Sequence, residues 1–280
     1  MIVRCWGARG SIPVSGREYN KYGGSTTCVE IQTLDDQIII IDAGTGIRKL
    51  GQTLLKESRR HLHLVFTHAH WDHLVGFPFF EPIYRAGTRI HFYGCPFAQK
   101  SVREMFSGTM QSPNFPVDFS AVKAEILYRE SCREVFTVGS VTVTPILLSH
   151  PGQGIGYKFS EGEKHFVFLT DNEPDHPHPG GLGFEAYRDF AKGADLLIHD
   201  AQYTAAEYSH TKGWGHSLYT DALRLGMEAG VKRLGLFHHD PDRTDEGVDG
   251  MTADCQRILD EGQSGLECFA VHEGLEIDLS

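Results

Sequence analysis

The segment Thr67-His68-Ala69-His70-Trp71-Asp72-His73 places four metal-ligand side chains within six residues, and it constrains this chain more than any other stretch. It closes an apolar run, His61-Leu62-His63-Leu64-Val65-Phe66-Thr67, whose short length and β-branched and aromatic content predict a buried strand. In an extended chain, residues i and i+2 point to the same side. His68 and His70 can therefore reach one ion together, while the turn that follows swings Asp72 and His73 toward a second. Neutral imidazole and carboxylate suit Zn²⁺ or a neighbouring divalent ion, Mn²⁺ or Fe²⁺. With Asp171 far downstream, these residues look like most of a two-metal site. Such a site points to the activation of water for hydrolysis.

The rest of the composition sets limits on that reading. At 280 residues and 40% hydrophobic content, the chain is long enough for one large domain, residues 1–280, with a substantial core. The start, Met1-Ile2-Val3-Arg4-Cys5-Trp6-Gly7, has no charged region leading into a long apolar run. No secretory signal or membrane span is expected, and a cytoplasmic location follows as the default. Six scattered cysteines (Cys5, Cys28, Cys95, Cys132, Cys255, Cys268) form no C-x-x-C pair and read as buried small hydrophobes rather than a disulfide framework. The net charge is −11. Two divalent ions would offset about +4 of it, leaving an acidic protein for which no large nucleic-acid surface is expected.

Short apolar runs predict strands over Ile38–Ile41, Leu62–Thr67, Arg89–Tyr93, Val141–Leu148, Phe166–Thr170, Leu196–Ile198 and Arg233–Phe237. Helical spacing predicts helices over Ile47–Ser58, Glu185–Lys192, Ser217–Ala229 and Met251–Glu261, the third stopping at Gly230. The class is α/β. What ends the strands matters more: Ser149 leads into His150, Thr170 into Asp171, Ile198 into His199-Asp200, and Phe237 into His238-His239-Asp240. Sites in layered α/β proteins are assembled at such carboxyl ends, so convergence on one site is expected.

With these residues in place, the chain resembles the metallo-β-lactamase superfamily, in the branch of RNase Z and the phosphodiesterase-like hydrolases. The resemblance rests on H-x-H-x-D-H, then His150, Asp171 in Leu169-Thr170-Asp171, Ile198-His199-Asp200, Gly215-His216-Ser217 and Phe237-His238. Gly7-Ala8-Arg9-Gly10-Ser11-Ile12-Pro13 and Tyr22-Gly23-Gly24-Ser25-Thr26-Thr27-Cys28 look like phosphodiesterase-like members, in which Asn is expected where Ser25 stands. The resemblance implies an αβ/βα sandwich, two mixed sheets flanked by helices with the metals at one edge. It also implies one metal on His68, His70 and His150, a second on Asp72, His73 and His238, and Asp171 bridging. His238 is preferred to His239 because it directly follows the strand. The catalytic set the resemblance implies is Asp72, His216 as candidate general acid and Asp200 orienting or charging it, with metal-bound hydroxide attacking phosphorus.

Asp42, before a glycine turn, lacks the following Lys of a phosphate loop and reads as a support for the motif. His176 and His178, in the Pro-rich loop after Asp171, read as solvated. Met105–Phe119 reads either as an apolar lid or, through Phe106, Phe115 and Phe119, as core. The substrate expected is a cyclic nucleotide or another small phosphodiester. Precursor tRNA, and a lactone, thioester or β-lactam, are the alternatives. A di-iron redox protein is disfavoured because His70 stands where such proteins carry Glu. By analogy with the branch, a homodimer is expected.

Overall fold

The computed structural model describes residues 1–95, 102–113, 115–130 and 133–279. Among the described residues, fourteen strands form two seven-stranded sheets. The first is built from β1 (Ile2–Gly7), β2 (Cys28–Gln32), β3 (Ile38–Ile41), β4 (His61–Val65), β5 (Arg89–Gly94) and β6 (Glu125–Glu130). The second contains β7 (Phe136–Val138), β8 (Val141–Leu148), β9 (Gly154–Glu161), β10 (Lys164–Leu169), β11 (Leu196–Asp200), β12 (Arg233–Phe237) and β13 (Glu267–Ala270). The last strand, β14 (Glu276–Asp278), returns to the first sheet beside β1. From β3 to β6 and from β10 to β13 the neighbours run parallel.

The sheets face each other across a core that sets Ile39, Ile41 and Val65 against Tyr157, Phe168, Ile198 and Phe237. The outer face of the first sheet is covered by α1 (Ile47–Lys56), whose Ile47, Leu50 and Leu54 are buried. Near it lie α2 (Trp71–Leu74) and α3 (Val102–Thr109). The second sheet is covered by α4 (Phe184–Ala191), α6 (Tyr219–Ala229) and α7 (Asp245–Glu261), while α5 (Ala205–Thr211) lies in the loop after β11. This is the αβ/βα sandwich that the resemblance implied.

Differences from the sequence reading have local causes. Helix α7 begins at Asp245, not Met251, because Thr244 accepts a hydrogen bond from Gly247 N at 3.3 Å and the first turn carries acidic rather than apolar residues. Helix α6 begins at Tyr219 because Ser217 N donates to Asp200 Oδ1 at 2.8 Å. Strands β1, β2 and β14 had no apolar run to reveal them: they are held in part by charged neighbours, with Arg4 paired to Glu30 and Glu276. Cys5, Cys28, Cys255 and Cys268 are buried thiols. Cys95 is disulfide-bonded, which corrects its reading as a simple hydrophobe, since pairing needs no C-x-x-C signature. Cys132 lies outside the described residues. Phe106 belongs to the outer core, and Phe115 and Phe119 pack against it. No helix among the described residues is long and apolar enough to cross a membrane.

Candidate active site

Strands β3, β4, β8, β10, β11 and β12 all deliver polar side chains at one edge of the sandwich. The two sheets are tied together there by Ile155 N donating to Thr67 O at 2.9 Å and by Tyr157 Oη donating to Phe66 O at 2.7 Å. Ligand atoms of His68, His70, His150 and Asp171 all lie within 4.8 Å of one another, as do those of Asp72, His73, Asp171 and His238. Asp171 is common to both groups. Its Oδ2 faces His68 Nε2 (3.6 Å) and His150 Nε2 (3.9 Å), and its Oδ1 faces His73 Nε2 (3.2 Å) and His238 Nε2 (3.3 Å). Asp72 Oδ2 meets His73 Nε2 at 3.2 Å and His238 Nε2 at 3.0 Å and accepts from Ser11 N at 2.8 Å.

The rings are fixed from behind. His68 Nδ1 lies 3.0 Å from Thr67 Oγ1, His73 Nδ1 2.8 Å from Asp42, His150 Nδ1 2.9 Å from Gly215 O, and His238 Nδ1 2.9 Å from Gln202 Oε1. Each leaves Nε2 aimed at the centre. The Nε2 atom of His68 is buried without a hydrogen-bond partner, a costly state that a cation would relieve. This donor set, with Nδ1 of each of these four rings held by an oxygen, fits a divalent metal. His70 approaches differently, its Nδ1 3.0 Å from His150 Nε2.

Electrostatics point the same way. Burial, with His73 adding to it, pushes His68 well below the ordinary imidazole range, and burial pushes His150 down to about 3. At His73, burial is outweighed by Asp72, Asp171 and Asp42, which hold it well above that range. At His238, burial is outweighed by Asp171 and Asp72, which raise it to about 9. Burial would raise Asp171, yet His238, His73 and His68 keep it well below the carboxylate range. The carboxylates thus demand positive charge at the centre. Asp42, Asp171 and His238 also adopt positive φ angles of 60°, 52° and 61°, conformations that L-residues keep only where surroundings enforce them.

Asp42 supports the motif as expected, accepting from Thr67 N (2.8 Å) and Thr67 Oγ1 (2.7 Å). His216 Nδ1 lies 2.7 Å from Asp200 Oδ2 and 3.9 Å from Asp171 Oδ2, so this pair adjoins the cluster. His239 does not join it: its Nε2 contacts Val271 O at 2.8 Å, and burial pushes its ring down to about 3. His199 also stays outside, contacting Asn172 and Asp200 O. His178 is not solvated: its Nε2 meets Glu173 Oε2 at 2.9 Å, because the Pro-rich loop folds back onto Ser149.

Glu173 was not foreseen. Its buried carboxylate accepts from Tyr208 Oη (2.6 Å), Gly213 N (2.8 Å) and Gly215 N (2.8 Å) as well as from His178, thereby holding the loop that carries His216 and the carbonyl behind His150. Gln202 was missed too. Neither stands in a motif, and only Glu173's position two residues after Asp171 hinted at it.

The family model described as "Beta-lactamase superfamily domain" matches residues 37–239. A Ribonuclease Z from Porphyromonas gingivalis is 23% identical over 295 aligned positions, covering 89% of this chain and 92% of that one. Among solved structures, the metallo-beta-lactamase fold protein YhfI from Bacillus subtilis superposes with a TM-score of 0.72 at 17% identity, covering 99% and 98%. A diphosphatase of the PhnP family gives 0.70 at 17%, covering 100% and 98%. Human tRNase Z, short form, gives 0.68 at 19%, covering both chains fully.

These relatives correct one expectation. The acidic balance predicted a small-molecule partner and no large nucleic-acid surface, but relatives named Ribonuclease Z overturn that exclusion. Net charge is a sum over the molecule, whereas nucleic-acid contact is governed by the local field where metal and substrate meet. A match over most of its length, on this fold, means that the chain belongs to the beta-lactamase superfamily and is a hydrolase of it.

Proposed function

We propose that this protein hydrolyses phosphodiesters with two divalent cations, zinc by preference and manganese or iron(II) as alternatives. His68, His70 and His150 would hold one, Asp72, His73 and His238 the other, and Asp171 would be shared. The observation that carries this reading is the divided carboxylate of Asp171, each oxygen facing its own set of imidazole Nε2 atoms. A divalent pair supplies a water-derived nucleophile near neutral pH and neutralises charge growing on phosphoryl oxygens.

The chain's own residues complete the reaction. Asp72, fixed by Ser11 N, keeps His73 and His238 directed at the centre. Asp200 is immobilised through Oδ1 by Ser217 N (2.8 Å) and Gln202 N (3.2 Å), leaving Oδ2 to hold His216 Nδ1. Nδ1–H donates to Asp200 Oδ2, so it is the imidazolium form of His216, which that carboxylate stabilises, whose Nε2–H can be given to the departing alkoxide, the step in which a poor leaving group most needs help.

A cyclic nucleotide or another small diester is the first reading of the substrate. RNA processing is the second, favoured by the Ribonuclease Z relatives. Metal analysis should come first, followed by parallel turnover of an aryl phosphodiester, cyclic nucleotides, precursor tRNA and a lactone. Hydrolysis of the lactone alone would sink the phosphodiester reading. His216→Ala should keep both metals while losing turnover, most of all on diesters with poor leaving groups.

A further inference from the structure

Trp71 stands between His70 and Asp72, yet the residue is 64% exposed. As the first residue of α2 it is anchored by the motif, so this large apolar surface lies in water beside the cluster. Next to it is a recess of about 260 Å³, walled on one side by Ala69, Trp71 and Leu74 and on the other by Met105, Gly108 and Thr109 of α3. Among the described residues no charged side chain lines it, and the Thr109 hydroxyl donates to Phe106 O at 2.9 Å. The recess therefore suits a neutral, flat group, with an indole as one wall and a polarisable thioether in another.

We propose that this recess receives a nucleobase of the substrate and that Trp71 stacks on it. The proposal rests on the phosphodiesterase reading and names its substrate class as nucleotide diesters. The recess opens one residue from His70, so a base in it belongs to the nucleoside whose phosphate sits at the cluster. An aliphatic tail would gain only the burial of apolar area there, whereas every base adds a π-face that stacks on the exposed indole. Among the described residues the one hydroxyl on the walls, that of Thr109, already donates to Phe106 O and is free only to accept, so discrimination among bases is weak.

Two probes sharing one leaving group test this: thymidine 5′-(p-nitrophenyl phosphate) and methyl p-nitrophenyl phosphate. The ratio of their kcat/KM values should fall about tenfold in Trp71→Ala. Gly108→Leu should lower it similarly, because a Cβ at Gly108 meets nothing within 4 Å and the added side chain fills the recess without straining the fold. Independently of turnover, 5′-AMP titrated into the metal-free protein should quench tryptophan fluorescence. Ribose 5-phosphate should not, and Trp71→Phe should abolish the signal. Unchanged ratios in both variants, quenching that survives Trp71→Phe, or equal quenching by octyl phosphate would overturn the proposal. If the wild-type protein turns over neither diester, the phosphodiesterase reading fails instead, and the AMP titration still reports on the recess.

Discussion

Replacing Glu173 by Gln keeps the side chain's volume and removes its charge. The carboxylate accepts two hydrogen bonds at each oxygen: Tyr208 Oη and Gly213 N at Oε1, Gly215 N and His178 Nε2 at Oε2. An amide has one acceptor oxygen, so two donors lose their partner and face an NH₂ group. A hydrogen bond to a charged group contributes about 1.5–3 kcal/mol, so losing two should destabilise the fold by about 3–6 kcal/mol. The side chain is only 1% exposed, and water cannot replace the lost bonds. The site should suffer as well, because Gly215 also presents the carbonyl that orients His150. Metal affinity at the group that includes His150 is expected to fall at least about tenfold. Burial would raise the Glu173 pKa, but its hydrogen bonds hold it below the ordinary range. With a depressed folded pKa, its contribution is present above the unfolded value and is lost as pH falls through the folded one, so wild type and variant should converge in acid. Urea denaturation across pH, combined with metal titration, measures both effects. A variant of wild-type stability and full metal affinity at neutral pH would refute the reasoning.

Three further outcomes follow from the geometry. Asp42→Asn, which weakens the support of His73 Nδ1, should cost about 10- to 100-fold in metal affinity, read by competition with a chromophoric chelator. Gly215→Ala places a Cβ 2.1 Å from His150 Nδ1 at a φ of 93°. It should lower the melting temperature and displace His150, and a crystal structure with an unmoved ring would contradict this. Asp221 is pushed up to about 6 by burial and then by Asp175. A folded pKa above the unfolded one means that stability declines as pH rises through this range. Asp221→Asn should therefore be more stable than wild type at neutral pH and show a flatter melting profile between about pH 4 and about pH 7.

Much of the site was legible because strand ends carry their own punctuation. An apolar run that stops at His or Asp announces both the strand and the side chain it delivers, which is how His150, Asp171 and His238 could be grouped with the motif at His68–His73. Positions without that punctuation were silent. Glu173 and Gln202 act through hydrogen bonds to loops that approach only after folding, and His178 looked solvated because its partner lies in the loop beside it rather than in a recognisable pattern. Strands β1, β2 and β14 went unseen because part of their pairing energy comes from cross-strand charges rather than a continuous apolar face.

By itself, then, the order of residues determined the alternation of strands and helices, the donor types and the strand to which each belongs. These depend on periodicity and on what terminates each run, which are local properties. Only the tertiary structure decided that Asp171 turns one oxygen to each set of histidines, that His238 rather than His239 faces the centre, and that Trp71 borders an open recess. Each of these depends on the direction of a side chain relative to a distant strand, and that direction exists only once the two sheets have packed.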